Sequence, residues 1–273
     1  MLINNFKYAI RNTAFQLFLL SISMSALIGQ TTSIADDYIK LAEAFKKNAK
    51  PDSALVYYEK AAVEYGNLGA QEDLADAYTQ MGVILTRQDK YDAAKMYLEK
   101  ALLIGTTSLD SNNLAIARTC ISLGVVYGAE EQFDKSLSFH YRALAIRLVQ
   151  LGELHTDVAT SYGNIGNVYF NSKNYDQAIE AHKKALKIRE KLFGNTSVEV
   201  IQSYTNLGNG YKEKQDYQTA LNYFDKALQN KIIQRGEGHP ELTRFYKTIS
   251  DVYYLMDNTP QGDLYKAKSE SVH

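Results

Sequence analysis

The sequence predicts an all-α fold: a right-handed superhelical solenoid of about six helix-turn-helix repeats. Three observations carry this. Apolar residues recur at spacings of three and four, as in Tyr175, Ala178, Ile179, Ala181, Ala185 and Leu186, which is the period of a helix with one buried face. The pattern then repeats. Gly82, Gly124, Gly166 and Gly208 lie 42 residues apart, Ser250 continues the series, and Ala42 precedes Gly82 by 40. Within each copy a short polar stretch, such as SKN at 172–174 or KQD at 214–216, separates two helical patterns. A single such hairpin cannot bury its own apolar face, so neighbours must stack.

The first 29 residues stand outside the repeat. Lys7 and Arg11 precede the largely apolar AFQLFLLSISMSALIG at 14–29. Basic start, apolar core and small residues are the order of a secretory signal peptide, with cleavage expected after Gly29 and Ala26 as the rival site. The apolar run is shorter than the ~20 residues of a membrane span; the alternative is an uncleaved membrane anchor. An exported chain, periplasmic or secreted, is therefore expected. QTTSIADD at 30–37 reads as a polar lead-in, and the repeat region is expected over 38–273.

Each first helix carries an aromatic four residues before the small marker: Tyr38, Tyr78, Tyr162, Tyr204 and Tyr246, with Cys120 in that slot once. Bulky residues lie one before the marker (Leu41, Met81, Leu123, Ile165, Leu207, Ile249) and three after it (Phe45, Leu85, Tyr127, Tyr169, Tyr211, Tyr253). These offsets share one side of a helix, and the small marker lets another helix approach. Each second helix has small residues at Ala54, Ala94, Ser136, Ala178, Ala220 and Gly262, and again seven residues on. Between them sits a bulky position: Tyr58, Leu98, His140, His182, Phe224 and then Lys266. Gly262, Lys266 and Ser269 depart from the packing residues of the other copies, so the last helix is expected to be an end cap, with Pro260 near its start.

The composition bounds the function. Thirty basic and 31 acidic residues leave a net charge of −1, which argues against a general nucleic-acid binder. The single cysteine, Cys120, excludes an intrachain disulfide. It occupies a core slot, as expected of a small buried residue rather than a nucleophile. His140 and His182 replace a bulky packing residue on neighbouring helices, too far apart to share a metal. No phosphate-binding glycine loop is present, because the glycines fall once per repeat. No cofactor, metal or catalytic residue is expected.

Tyr162-x2-Ile165-Gly166-x2-Tyr169 followed by Ala178-x3-His182 and Ala185 resembles the tetratricopeptide repeat. The longer period and the joints at LHTDVATSY (154–162) and GHPELTRFY (238–246) resemble the kinesin-light-chain type. His155 and His239 match the joint histidine of that type. The resemblance implies a protein-interaction scaffold that binds an extended peptide or a partner domain on a concave groove lined by the first helices. Offsets −6, −2, +1 and +5 form the face opposite the packed one. They give Arg118 in the third repeat, Asn164 and Asn167 in the fourth, Gln202, Asn206 and Asn209 in the fifth, and Arg244 in the sixth. The four asparagines can donate to and accept from a peptide backbone, or pair with one another between repeats. Arg118 and Arg244 flank them and suit acidic groups. The lysines of the carboxylate clamp found in some family members are missing at the matching positions. The second functional reading is a regulatory or sensory module whose effector is a separate chain. Membrane contact is expected only if the N-terminal segment stays uncleaved.

Overall fold

The computed structural model describes residues 34–272, which are helical with no β-strand among them. The export segment and residues 30–33 of the lead-in lie outside the described residues. Residues 34–37 are already helical, so the first helix starts ahead of Tyr38. The reason is burial: Ala35 is fully enclosed with Ala61, Ala62 and Tyr65, and the Tyr65 hydroxyl donates to Asp36 Oδ1 at 2.9 Å. Among the described residues, no helix is long and apolar enough to cross a membrane.

The chain divides after Ser111 into two compact units. The first holds α1 (34–47), α2 (Pro51–Leu68), α3 (Gln71–Arg87) and α4 (Tyr91–Ser108). Ala42 of α1, Ala54 and Tyr58 of α2, and Met81 and Ile84 of α3 form one of its cores. The second unit holds α5 (Leu114–Ala129), α6 (Phe133–Leu151), α7 (Thr156–Asn171) and α8 (Tyr175–Phe193). It continues with α9 (Val198–Glu213), α10 (Tyr217–Arg235), a 3-10 turn (Pro240–Leu242), α11 (Thr243–Leu255) and α12 (Thr259–Glu270). In this unit every helix packs against the one that follows it, so each hairpin buries one face internally and another against its neighbour.

The turn inside each hairpin is the same six times. Its central residue is left-handed at Ala49, Asp89, Glu131, Lys173, Gln215 and Asp257, with φ between 54° and 63°. The next amide reaches back to close the first helix: Asn174 N–H donates to the Tyr169 carbonyl at 2.8 Å, and Gln132 to Tyr127 likewise at 2.8 Å. This six-residue closure satisfies carbonyls that the helix end would leave bare. It also fixes where the second helix starts.

The second helix then lies directly on the small marker. A β-carbon placed on Gly166 would stand 2.6 Å from the His182 ring, and one on Gly124 would stand 2.6 Å from His140. Gly82 meets Leu98 and Gly208 meets Phe224 in the same way. The histidines thus fill the packing slot that leucine or phenylalanine fills elsewhere. Both rings are buried, and His140 Nδ1 has no hydrogen-bond partner. Cys120 is also fully buried, and burial pushes its thiol up to about 11.

Gly262 and Ser269 do not mark an outward face: both are buried, and only Lys266 of the three is exposed. Ser250 Oγ donates to the Gly262 carbonyl at 2.8 Å, and the Tyr254 ring occupies the space a β-carbon on Gly262 would need. The substitution to glycine makes room for that ring inside the hairpin. Asn258 caps α12 by accepting from Gln261 N–H at 3.4 Å, and Pro260 lies in its first turn as expected.

Two stability predictions follow from the marker contact. Gly166→Ala drives a methyl into the His182 ring and should cost about 1–3 kcal/mol in urea unfolding; an unchanged midpoint would show that the ring can move aside. Burial also pulls the His140 and His182 imidazoles down to about 4, from 6.5. The unfolded chain therefore binds more protons than the folded one between those values. Stability is fully present above pH 6.5 and is lost as pH falls toward about 4. The loss should amount to roughly 2–3 kcal/mol per histidine. The double variant His140→Phe/His182→Phe, which copies Phe224, should flatten this part of the stability profile measured between pH 7 and 4.5.

Candidate functional site

The candidate face is carried by α5, α7, α9 and α11 of the second unit. The joints before α7 and α9 fix how those helices begin. Gly152 and Gly194 adopt φ of 76° and 74° with extended ψ, a conformation open essentially to glycine alone. Three residues later a side chain caps the next helix. His155 Nδ1 accepts from Asp157 N–H at 3.1 Å, and Ser197 Oγ accepts from Val200 N–H at 3.3 Å. His239 Nδ1 caps the 3-10 turn by accepting from Glu241 N–H at 3.2 Å. The joint histidines are therefore helix caps.

Arg118, Asn164, Asn206 and Asn209 are half-buried on this face, while Asn167, Gln202 and Arg244 are exposed. Gln202 Nε2 donates to Asn206 Oδ1 at 2.8 Å, one turn along the same helix. Asn164, Asn167 and Asn209 have no side-chain partner among the described residues. The amides thus do not tie one repeat to the next. Gln202 and Arg244 come together at a pocket of about 160 Å³ between α9 and α11, which Thr205, Thr248 and Phe245 also line. The Arg244 guanidinium lies 4.8 Å from the centre of the Phe245 ring. Arg118, Asn164 and Asn167 are not part of that pocket.

Residues of the second helices complete the face, and the sequence reading missed them. Arg147 of α6, Arg189 of α8 and Lys231 of α10 occupy equivalent positions 42 residues apart. Arg147 Nη1 donates to the Asp157 carbonyl and to Ser161 Oγ, both at 2.9 Å. Arg189 Nη1 donates to Ser203 Oγ at 2.7 Å, and its Nη2 lies 3.5 Å from where a β-carbon on Gly163 would stand. That guanidinium therefore sits at the seam between α7 and α9. Lys231 lines the pocket between α9 and α11 and pairs with Glu241. The signal was available: a basic residue recurs at the repeat period with a serine fourteen residues on, at Ser161 and Ser203.

These cations are costly to keep. Burial draws the Arg147 and Arg189 guanidinium groups below their ordinary range, and the charge of Arg118 adds to the effect at Arg147. Their hydrogen-bond acceptors are carbonyl and hydroxyl oxygens, while the Asp157 carboxylate near Arg147 and the Glu199 carboxylate near Arg189 offset part of the burial effect. At the last seam the sign is balanced, because the Lys231 ammonium holds the Glu241 carboxyl below its usual range. The face therefore combines open amides with a file of basic groups. It can hold a backbone and attract carboxylates.

The geometry agrees with what the chain is similar to. No curated protein sequence matches it. Among solved structures, BtubC (BKLC) from P. vanneervenii superposes with a TM-score of 0.66 at 16% identity, covering 90% of each chain. A Podosopora anserina protein described as a kinesin light chain with nearly identical TPR-like repeats gives a TM-score of 0.64 at 16% identity. That alignment covers 74% of this chain and 97% of the other. A tetratricopeptide repeat protein from Parabacteroides merdae gives 0.60 at 18% identity, covering 87% and 79%. At such identities these likenesses speak of the fold alone. The tetratricopeptide repeat model matches residues 73–148 and 157–232, more than half of the chain, and the chain belongs to the tetratricopeptide repeat family.

Proposed function

We propose that the chain is a non-catalytic protein-interaction scaffold that holds an extended, acidic segment of a partner on the face of α5, α7, α9 and α11. Tetratricopeptide repeats generally serve as protein-interaction scaffolds, and this reading names the face and the chemistry. One observation carries it: Arg189 and Lys231 of the second helices lie at the seams between successive first helices, and Asn164, Asn167 and Asn209 of those first helices have unspent amides. Asn164 with Asn206 and Asn167 with Asn209 stand one repeat apart; Asn164, Asn167 and Asn209 offer both donors and acceptors and Asn206 its amide donors, so a chain laid across them is gripped by its backbone. The exposed Arg244 and the half-buried Arg118 and Arg189 select carboxylates along it, and the buried Arg147 contributes only its field. The scaffold is rigid beforehand, so most of the ordering cost falls on the partner.

The test is a double substitution. Asn164→Ala with Asn206→Ala should weaken capture of the partner from an envelope extract about tenfold or more, while helicity and Tm stay nearly unchanged. Added salt should weaken the wild-type complex, as expected where carboxylates meet arginines. Undiminished capture by the double variant would move the interface to another face.

We further propose that residues 1–29 direct export and are removed after Gly29. The basic start and apolar run support this. Mass spectrometry of the protein from its source cell should find a new N-terminus at Gln30; an intact N-terminus in a membrane fraction would make the segment an anchor instead.

A further inference from the structure

Each hairpin has a second aromatic position, fifteen residues after the marker, on its second helix. It is Tyr57, Tyr97, Phe139, Tyr223 and Tyr265 in five repeats and Ala181 in the fourth. In the first, fifth and sixth repeats this ring lies between two aromatics of the first helix; in the second it meets Tyr78 alone and in the third Tyr127 alone, because Leu85 and Cys120 take the other wall. Tyr223 is 6.2 Å from Tyr204 and stacks at 5.6 Å on Tyr211. Tyr57 is 6.1 Å from Tyr38 and stacks at 5.3 Å on Phe45, and Tyr265 is 6.3 Å from Tyr246 and 5.5 Å from Tyr253. A lysine covers the set: Lys226 lies over both Tyr204 and Tyr223, at 5.9 and 5.5 Å.

The fourth repeat keeps every part of this arrangement except the ring in the middle. Tyr162 and Tyr169 stand at the two wall positions, and Lys184 lies 5.5 Å over Tyr162. Between them is an open pocket of about 280 Å³, with Ile165 and Ala181 among its lining residues and Asp176 and Glu180 also on its wall. Tyr141 of α6 closes one side, its hydroxyl 3.1 Å from that of Tyr169. The walls are thus held in place without the occupant. An apolar cavity of ~150 Å³ suffices to bind benzene, so the space admits a phenol ring.

We infer that this pocket receives an aromatic side chain, tyrosine by preference, presented by a partner protein. The geometry is that of an internal contact the chain makes in its other repeats, with the ring supplied from outside. Tyrosine is favoured because four of the five resident rings are tyrosine and because the Asp176 and Glu180 carboxylates can accept from a phenol hydroxyl. Lys184 adds the cation that the other repeats place over their ring pairs. A ring bound between two fixed aromatic walls is the kind of anchor that concentrates binding energy at an interface. The site lies on the packed-side positions of α7, so it stands independently of the asparagine face.

The full chain, labelled at isoleucine methyl groups, tests this with N-acetyl-tyrosinamide as probe and N-acetyl-leucinamide as control. The Ile165 methyl should shift saturably in the millimolar range with the tyrosine probe and at least tenfold less with the leucine probe. Ala181→Tyr, which restores the resident ring, should raise Tm and abolish the shift; Ala181→Leu, a smaller filler, serves the same purpose if the tyrosine variant does not fold. Absence of a saturable shift in the wild type, equal response to both probes, or a response retained in the filled variants would each overturn the proposal.

Discussion

Everything in this molecule is referred to the contact between one small residue on each first helix and one bulky side chain on the second. With a β-carbon's place taken by the facing side chain at Gly82, Gly124, Gly166 and Gly208, the two helices are held at one distance and one rotation. The left-handed turn residue, never glycine in this chain, supplies the other constraint by fixing where the second helix begins. Such turns cost something for residues with a β-carbon. They persist six times because the reach-back hydrogen bond and the marker contact determine them from both sides. With the hairpin so fixed, positions at offsets −4 and +3 must face the second helix, and positions at −6, −2 and +1 must face away.

Stacking of hairpins then has an electrostatic side that packing alone does not account for. Arg147 and Arg189 run from the second helix of one hairpin to the first helix of the next, binding the serines Ser161 and Ser203. Leucine or methionine at these positions would pack without a desolvation penalty. The arginines tie neighbouring repeats by hydrogen bonds whose acceptors exist only in the stacked register, so they specify that register as well as stabilise it. They also place positive charge at the seams. Structural specification and a basic face are thus two consequences of the same side chains.

Much of this was legible in the sequence, and the rest was not for identifiable reasons. The marker series of glycines, the buried Cys120 slot and the packing of His140 and His182 follow from period and residue size, which are local properties. The misreadings concern direction and length. Gly262 looked like an abandoned outer contact because its partner, Tyr254, lies outside the repeat pattern. The start of α1 was placed late because residues 34–37 are polar except for Ile34 and Ala35, and Ala35 is what the fold buries. Arg147, Arg189 and Lys231 carry no signal in apolar period or residue size. A periodic charge differs from a scattered one only when its partner fourteen residues on is read with it.

The same periodicity gives departures from the pattern their meaning. In a stacked array each repeat is stabilised by its own hairpin contacts and by its two neighbours, so one weakened position is carried by the rest. Ala181 forfeits a ring that the five other repeats retain, stacked in four of them, yet the marker contact of Gly166 with His182, the turn at Lys173 and the cap at His155 are all intact around it. Tyr162 and Tyr169 still pack against the core of Ile165, Leu144 and Val158, so the walls hold their places while the space between them stays open. The fourth repeat also carries Asn164 and Asn167 on its opposite face. Loss of an internal contact and gain of open polar groups thus fall in one hairpin, held between neighbours that supply the rigidity it gives up.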